Sequence, residues 1–421
     1  MTEGRLFDLA PDEPVDPHAV AFDPFAPAVR HDPVAAHADL REHCPFHHFE
    51  AFGEHGFYTL SRHADITEIL KEPVLWTTGR GPGPEHVLRT GDGVLLNADP
   101  PVHTVQRRLV NKAFTPRAVA DMEVEVQRVA DSLIDDFAWR GHGDLVADFA
   151  SPLPVIVIAR MLGVPERDMA TFKEWSDVIV AAIGGDASTH ERNTAVRKEF
   201  ATYFTELILE REALRDAHRL LPQDLVSGLV LADYEGRRFT HVEMLGILLQ
   251  LLVAGNETTT SLITNLLHRL FEHPEERAKV EADPDALAPT AVEESLRYDA
   301  PVQGLFRTNT APARIHGVDL DEHTKVMVLF ASANHDERVW EEPRRFKVDR
   351  DYGVVRSHYA FGFGVHYCLG APLARLEGRI ALTTLLRRLP NLRPAGEPDL
   401  VAPMLFRGFA RYPVAWDVPH I

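Results

Sequence analysis

Phe361-Gly362-Phe363-Gly364-Val365-His366-Tyr367-Cys368-Leu369-Gly370 is the stretch that decides how this chain is read. It sets one cysteine between a glycine-rich loop and the expected start of a helix, where the positive end of the backbone dipole favours a thiolate. The N–H groups of Leu369 and Gly370 are placed to spread charge away from the sulfur. Gly362, Gly364 and Gly370 carry no side chain, which leaves room for a flat cofactor against the backbone. Pro372 falls just inside the helix start, where a missing N–H costs nothing. A dinucleotide-binding loop is excluded, because Gly362-Phe363-Gly364 would need a third glycine where Tyr367 stands. The plainer alternative is a buried structural cysteine beside a turn.

With Phe361, two glycines, His366, Cys368 and Gly370 all in place, the stretch resembles the cysteine-ligand loop of the cytochrome P450 family. The resemblance covers nearly the whole chain. It implies a mainly α fold with a small β portion and a long central helix crossing over the haem. The implied cofactor is haem b (iron protoporphyrin IX), with Cys368 as the iron ligand and Phe361, Gly362, His366 and Gly370 around it. The implied activity is insertion of one oxygen atom of O2 into a small-to-medium hydrophobic substrate. Hydroxylation is the default outcome, with O-demethylation or epoxidation at the same site. What the resemblance uses up leaves no room for a fused reductase, so electrons are expected from a separate ferredoxin and ferredoxin reductase. A peroxygenase using hydrogen peroxide and a non-catalytic haem-binding sensor remain alternatives.

The composition agrees. The 421 residues are 45% hydrophobic and 25% charged, enough to bury a substantial core. Cys44 and Cys368 are the two cysteines and lie far apart, which argues against a disulfide framework and suits a reducing cytoplasm. A formal charge of −19 argues against nucleic acid as the partner. The longest apolar run, Met244 to Ala254, contains Gly246 and Gln250 and is far short of the ~20 residues that span a bilayer, so no membrane association is expected. No basic segment followed by an apolar core opens the chain, so no secretory signal is read there.

Residues 1–33, rich in proline, read as a poorly structured lead-in, and 34–421 as one domain. A helix is expected from Val34, then a strand at Gly56–Leu60. Thr78 to Asn97, with seven glycines and prolines, reads as a mobile loop. Pro101 to Glu294 is mostly helical by period, punctuated at Pro152, Pro165, Gly184-Gly185 and Pro222. Beyond Pro301, short β-like runs follow at Arg314–Val318, Lys325–Phe330 and Val414–Val418.

Thr240-His241-Val242-Glu243 is a capping box opening a periodic run to about Glu272, a helix of about 50 Å. Midway stand Ala254-Gly255-Asn256-Glu257-Thr258, an acid followed by an alcohol after two small residues. Gly255 weakens the helix and Thr258 can turn its hydroxyl onto a carbonyl one turn back. In the family this segment lies on the oxygen side of the haem. The resemblance makes Glu257 the relay of protons from solvent and Thr258 the hydroxyl that places them. Ala254 and Gly255 leave space for the diatomic ligand. The plain alternative is a polar seam in a buried helix.

Two haem propionates need cations. His103 and Arg107 fall four apart on one helix face, and with Arg307 and His366 they match the family's propionate contacts. Glu294-Ser295-Leu296-Arg297 is the Glu-x-x-Arg signature, and Arg345 matches the third member of that structural triad. Leu95, Leu252, Val253, Val302, Leu305, Phe306 and Phe406 are expected to line the substrate pocket, largely apolar. Arg80 or Arg89 could steer a substrate carboxylate instead. His43, Cys44, His47 and His48 are close enough to suggest zinc, but nothing downstream repeats a ligand pair.

Overall fold

The computed structural model describes residues 6–9, 14–85, 93–181, 187–233, 236–401 and 404–418. The chain divides into two compact units, one of residues 1–104, 293–368 and 404–407, the other of 105–292, 369–403 and 408–421.

The first unit is built on a five-stranded sheet in the order Phe46–Phe49, Phe57–Leu60, Lys325–Val328, Leu305–Asn309, Trp76–Thr77. Its central strand is buried along its whole length, and alternation sends Val326 and Val328 to one face and Met327 to the other. The first face packs with Phe46, Leu60, Ile66, Ile69, Trp76 and Phe330. The second packs with Phe22, Leu40, Cys44, Phe57 and Phe306. A sheet covered on both sides tolerates no register slip, since a shift of one residue would exchange the two cores.

Residues 1–33 differ from expectation in two described segments, while 14–26 hold only turns and irregular backbone. Phe7–Leu9 is a strand pairing in parallel with Ala313–Ile315, and Pro27–His31 is a helical turn. Proline density misled here: Pro27 and Pro33 occupy first turns of helices, where proline is tolerated. The helix expected from Val34 runs Pro33–His43, capped by Asp32, whose carboxylate accepts from the Val34 N–H at 3.2 Å. The strand Phe46–Phe49 was not foreseen. It pairs antiparallel with Phe57–Leu60, and the Gly56–Leu60 expectation holds.

The Glu-x-x-Arg pair is buried as expected. Arg297 Nε and Nη2 donate to the two carboxylate oxygens of Glu294 at 2.7 and 2.8 Å, and both side chains are sealed from solvent. The third member is corrected. The Arg345 side chain is exposed and pairs with Glu342, contributing only its backbone carbonyl to Arg297 at 3.3 Å. Arg350 instead places Nε 3.0 Å from both oxygens of Glu294 and donates Nη2 to the Arg345 carbonyl at 2.8 Å. A buried carboxylate takes the guanidinium that is itself buried, and Arg350 is 9% exposed at its side chain against 61% for Arg345.

The second unit is helical, as the period from Pro101 indicated. Its axis is the His241–Glu272 helix, packed against Pro152–Leu162, Met169–Ala181, Ala187–Asp216 and Ala371–Arg388. The capping box closes as read, with the Glu243 N–H on Thr240 Oγ1 at 3.2 Å and the Thr240 N–H on Glu243 Oε2 at 2.9 Å. The Ala371–Arg388 helix approaches closely because residue 378 is glycine; a Cβ there would stand 3.1 Å from Leu262 and 3.3 Å from Val292. Gly184-Gly185 lies outside the described residues.

Candidate functional site

Cys368 is a half-buried cysteine in no disulfide among the described residues, and its N–H donates to the Phe361 carbonyl at 2.8 Å. That bond folds the loop back on itself and fixes where the sulfur emerges. Gly364–His366 forms a single helical turn, and the Ala371–Arg388 helix begins two residues after Leu369 with Pro372 in its first turn. Gly362 (φ +70°) and Gly364 (φ +72°) occupy the left-handed region, and a Cβ on Gly364 would lie 2.9 Å from the Leu70 carbonyl. Gly370 has an ordinary φ of −80°. Backbone conformation therefore accounts for the first two glycines, independently of any cofactor.

A polar group gathers on the same unit. Asp99 accepts from the Thr77 hydroxyl and from the Thr78 N–H at 3.1 Å. The Thr78 hydroxyl in turn meets His366 Nε2 at 3.2 Å. The His366 ring lies 4.2 Å, centroid to centroid, from that of His103, whose N–H is held by the Asp99 carbonyl at 2.9 Å. Arg107 is one turn further along the Val102–Val110 helix, in the part of it that belongs to the second unit. Arg307, on the Leu305–Asn309 strand, is 4% exposed. Burial pushes its guanidinium down to about 10, opposed by the charge of Asp99. Among the described residues its one hydrogen bond is from Nη1 to the Phe306 carbonyl at 2.9 Å, with no carboxylate in ion-pair contact. Asp99 and Thr78 belong to none of the motifs read from the sequence.

On the second unit, the middle of the long helix shows two stripes. Val253, Ala254, Glu257 and Thr258 are accessible or partly so, while Leu252, Asn256, Thr259 and Thr260 are buried. At about 100° per residue these are opposite faces. The Thr258 hydroxyl donates to the Ala254 carbonyl at 2.7 Å, the back-bond its position suggested. A Cβ on Gly255 would meet nothing within 4 Å. Burial pushes the Glu257 carboxyl above the ordinary range. The buried stripe is also polar: Asn256 donates to Ser176 at 2.6 Å and Thr260 to the Ala150 carbonyl at 3.1 Å. Thr259 hydrogen-bonds Glu377, a fully buried carboxyl on the Ala371–Arg388 helix that desolvation pushes up to about 8. Glu377 was missed, since a lone glutamate nine residues past a cysteine carries no pattern.

The expected pocket residues divide. Val253, Val302, Leu305 and Phe406 keep some accessible surface, and Val302 bridges to Phe406. Leu95 is nearly buried, in a left-handed conformation at φ +43°. Leu252 and Phe306 expose no surface and belong to the core rather than to a pocket wall. Leu252 falls on the packed stripe of its helix. Phe306 stands edge-on to Phe57 at 4.9 Å, on the face of its strand opposite Leu305. Arg80 meets His323 Nε2 at 2.9 Å; Arg89 lies outside the described residues.

The described part of the Thr78–Asn97 loop is tied down rather than mobile. The buried Lys325 ammonium donates to the carbonyls of Arg80, Gly81 and Gly83 at 3.0, 2.9 and 3.1 Å, and the Phe306 N–H takes that of Pro82 at 2.9 Å. Four successive carbonyls are thereby satisfied from the sheet.

Comparison with known proteins accounts for these features. Residues 168–403 match the family model described as Cytochrome P450. The chain is 37% identical over 344 residues to the putative cytochrome P450 YjiB of Bacillus subtilis strain 168, covering 80% of this chain and 83% of that protein. It is 36% identical over 344 residues to the steroid C26-monooxygenase of Mycolicibacterium smegmatis, covering 81% and 82% respectively. Among solved structures, CYP109Q5 from Chondromyces apiculatus superposes with TM-score 0.83 at 36% identity, covering 94% of this chain and 98% of that one. CYP109E1 from Bacillus megaterium in complex with testosterone gives TM-score 0.81 at 32% identity, covering 92% and 100%. The chain belongs to the cytochrome P450 family.

It is therefore an oxidoreductase of the haem-dependent monooxygenase class, working with O2, a source of electrons and a small-molecule substrate. The residues fit haem: a cysteine outside any disulfide among the described residues stands on a fixed loop, and a buried cation on the same unit lacks a carboxylate partner among the described residues. Among the described residues no helix is long and apolar enough to cross a membrane.

Proposed function

We propose that this chain hydroxylates an apolar molecule of small-to-medium, up to steroid, size, with electrons delivered by a separate ferredoxin and ferredoxin reductase in the cytoplasm. The observation that carries the proposal is the accessible stripe of the long helix, which joins the acid Glu257 and the alcohol Thr258 beside Ala254. A sensor or carrier has no use for a proton relay, and a peroxygenase receives its oxidant already reduced. Haem iron bound through Cys368 supplies the activation of O2. Glu257, pushed up by burial, carries protons inward from solvent and exchanges them closer to neutral pH than an exposed carboxylate. Thr258 holds its proton on the Ala254 carbonyl at rest and passes it across by rotating about its side-chain bond. His103, Arg107, Arg307 and His366 bind the propionates, so Arg307 gains the anion that its burial calls for.

Val253, Val302, Leu305 and Phe406 offer apolar contact to the substrate. Relatives named for a steroid C26 oxidation and for a testosterone complex support the upper size limit. Arg108, Lys112, Arg375 and Arg379, with the Lys112 side chain outside the described residues, are the cations proposed to receive an acidic ferredoxin, with turnover weakening at high salt. The test is twofold. Reduced protein with carbon monoxide must show the absorption maximum of thiolate-ligated haem. A panel of apolar compounds must then shift the ferric Soret band and give oxygenated product with ferredoxin and NADH. Product from hydrogen peroxide alone, with none from O2 and electrons, would overturn the proposal.

A further inference from the structure

The His43-Cys44-His47-His48 cluster disperses in the fold. Cys44 is buried with its Sγ on the Asp16 carbonyl at 3.4 Å, His47 is buried and held neutral at about 4, and His43 is exposed beside Asp39. His48 alone finds other ligand-bearing side chains, and one of them comes from upstream. His18 Nε2 and His48 Nδ1 each lie 3.8 Å from Glu50 Oε1, and the three donor atoms are all within 4.8 Å of one another.

We infer that His18, His48 and Glu50 form a site for a zinc-class divalent ion, separate from the haem chemistry, that clasps the start of the chain to the Phe46–Phe49 and Phe57–Leu60 hairpin.

Three independent features carry this. The first is the tautomer of His48. Its Nε2 lies 3.2 Å from the His55 carbonyl, which can only accept, so Nε2 bears the hydrogen. In the neutral ring Nδ1 then presents a lone pair toward a carboxylate oxygen, an arrangement that repels until a cation stands between them. Histidine ligands are commonly oriented in this way, with the other ring nitrogen bonded to a carbonyl. The second is rigidity. The His48 ring stacks on Tyr58 at 4.3 Å and 15°, and His18 approaches it edge-on at 5.6 Å. The His48 N–H donates to the Pro17 carbonyl at 3.0 Å, and the His18 N–H to Asp16 Oδ1 at 2.9 Å, so both backbones are held. The third is size. Ligands about 2.0–2.1 Å from a tetrahedral zinc stand about 3.4 Å apart, so the 3.8 Å pairs need to close by only a few tenths of an ångström.

Two imidazoles and a carboxylate select zinc and its neighbours over magnesium or calcium. His18 and Glu50 are 52% and 72% exposed at their side chains, so the fourth position opens to water. His47 is directed into the core beside Phe22 and is no ligand.

The test uses the haem-loaded full chain, cleared of divalent ions with a chelator and titrated with Zn2+ against a chromogenic indicator. One tight equivalent is expected per chain. His18→Ala and Glu50→Gln, which alter exposed side chains and spare the core, should each weaken it at least about tenfold, as should His48→Ala. His43→Ala should bind as the parent does. The carbon-monoxide spectrum of each variant verifies that the haem site is intact. No tight equivalent, or one retained in both His18→Ala and Glu50→Gln, overturns the assignment. So does loss of zinc in His43→Ala with retention in His18→Ala.

Discussion

Glu377 offers the most quantitative test of the interior described above. It is 2% exposed, its carboxyl is pushed from 4.5 up to about 8 by desolvation, and the Thr259 hydroxyl is its hydrogen-bond partner. In the folded protein it therefore keeps its proton through neutral pH, whereas in the unfolded chain it loses it above about 4.5. For a carboxyl raised on folding, the associated stability is complete below the unfolded value and is lost as pH climbs through the folded one. Between those limits the loss is about 1.4 kcal/mol per pH unit, or about 2 kcal/mol from about pH 6 to pH 8. Glu377→Gln is close in shape to the protonated acid and cannot titrate. It should match the parent within about 1 kcal/mol near pH 6 and exceed it by about 2 kcal/mol more near pH 8. Urea unfolding of the haem-loaded proteins, followed in parallel by far-ultraviolet circular dichroism and the Soret band, reads the difference. A gap that stays constant with pH would mean that Glu377 is ionised when folded, and the reasoning would be refuted.

Three further outcomes are expected. Thr258→Ala should go on consuming NADH within about threefold of the parent while oxygenated product falls at least about tenfold and peroxide takes its place; unchanged product per NADH removes Thr258 from proton delivery. Arg350→Ala strips a buried carboxylate of one guanidinium and should cost about 3 kcal/mol, while Arg345→Ala, at the surface, should cost under about 1 kcal/mol; equal costs would return Arg345 to the triad. Arg307→Met should leave the haem-free protein at least as stable as the parent and speed haem loss to a scavenging globin at least about tenfold; unaltered haem retention would mean that Arg307 does not meet a propionate.

Legibility in the sequence followed the range of the interaction. The Thr240–Glu243 box is set by residues within one turn and closes as read, and the helix ends at Glu272, where the periodic run was expected to stop approximately. The Cys368 loop was equally plain, because left-handed glycines and a helix start leave a local trace. Arg350 displaced Arg345 because a choice between guanidiniums five residues apart depends on which one the fold buries. Phe306 passed for pocket lining because one apolar residue looks like another until the pleat assigns it a face. The Phe46–Phe49 strand hid behind two histidines, although Phe46 and His47 are both buried in it. Asp99, Thr78 and Glu377 are remote from the signatures they serve, and no spacing announces them.

The grip of Lys325 on the carbonyls of Arg80, Gly81 and Gly83 has an evolutionary corollary. Main-chain oxygens are common to every amino acid, so the course of that segment is indifferent to which side chains it bears, apart from its glycines and proline. Neighbouring positions are free to diversify under selection for new substrates, while a single ammonium keeps the underlying trace in place.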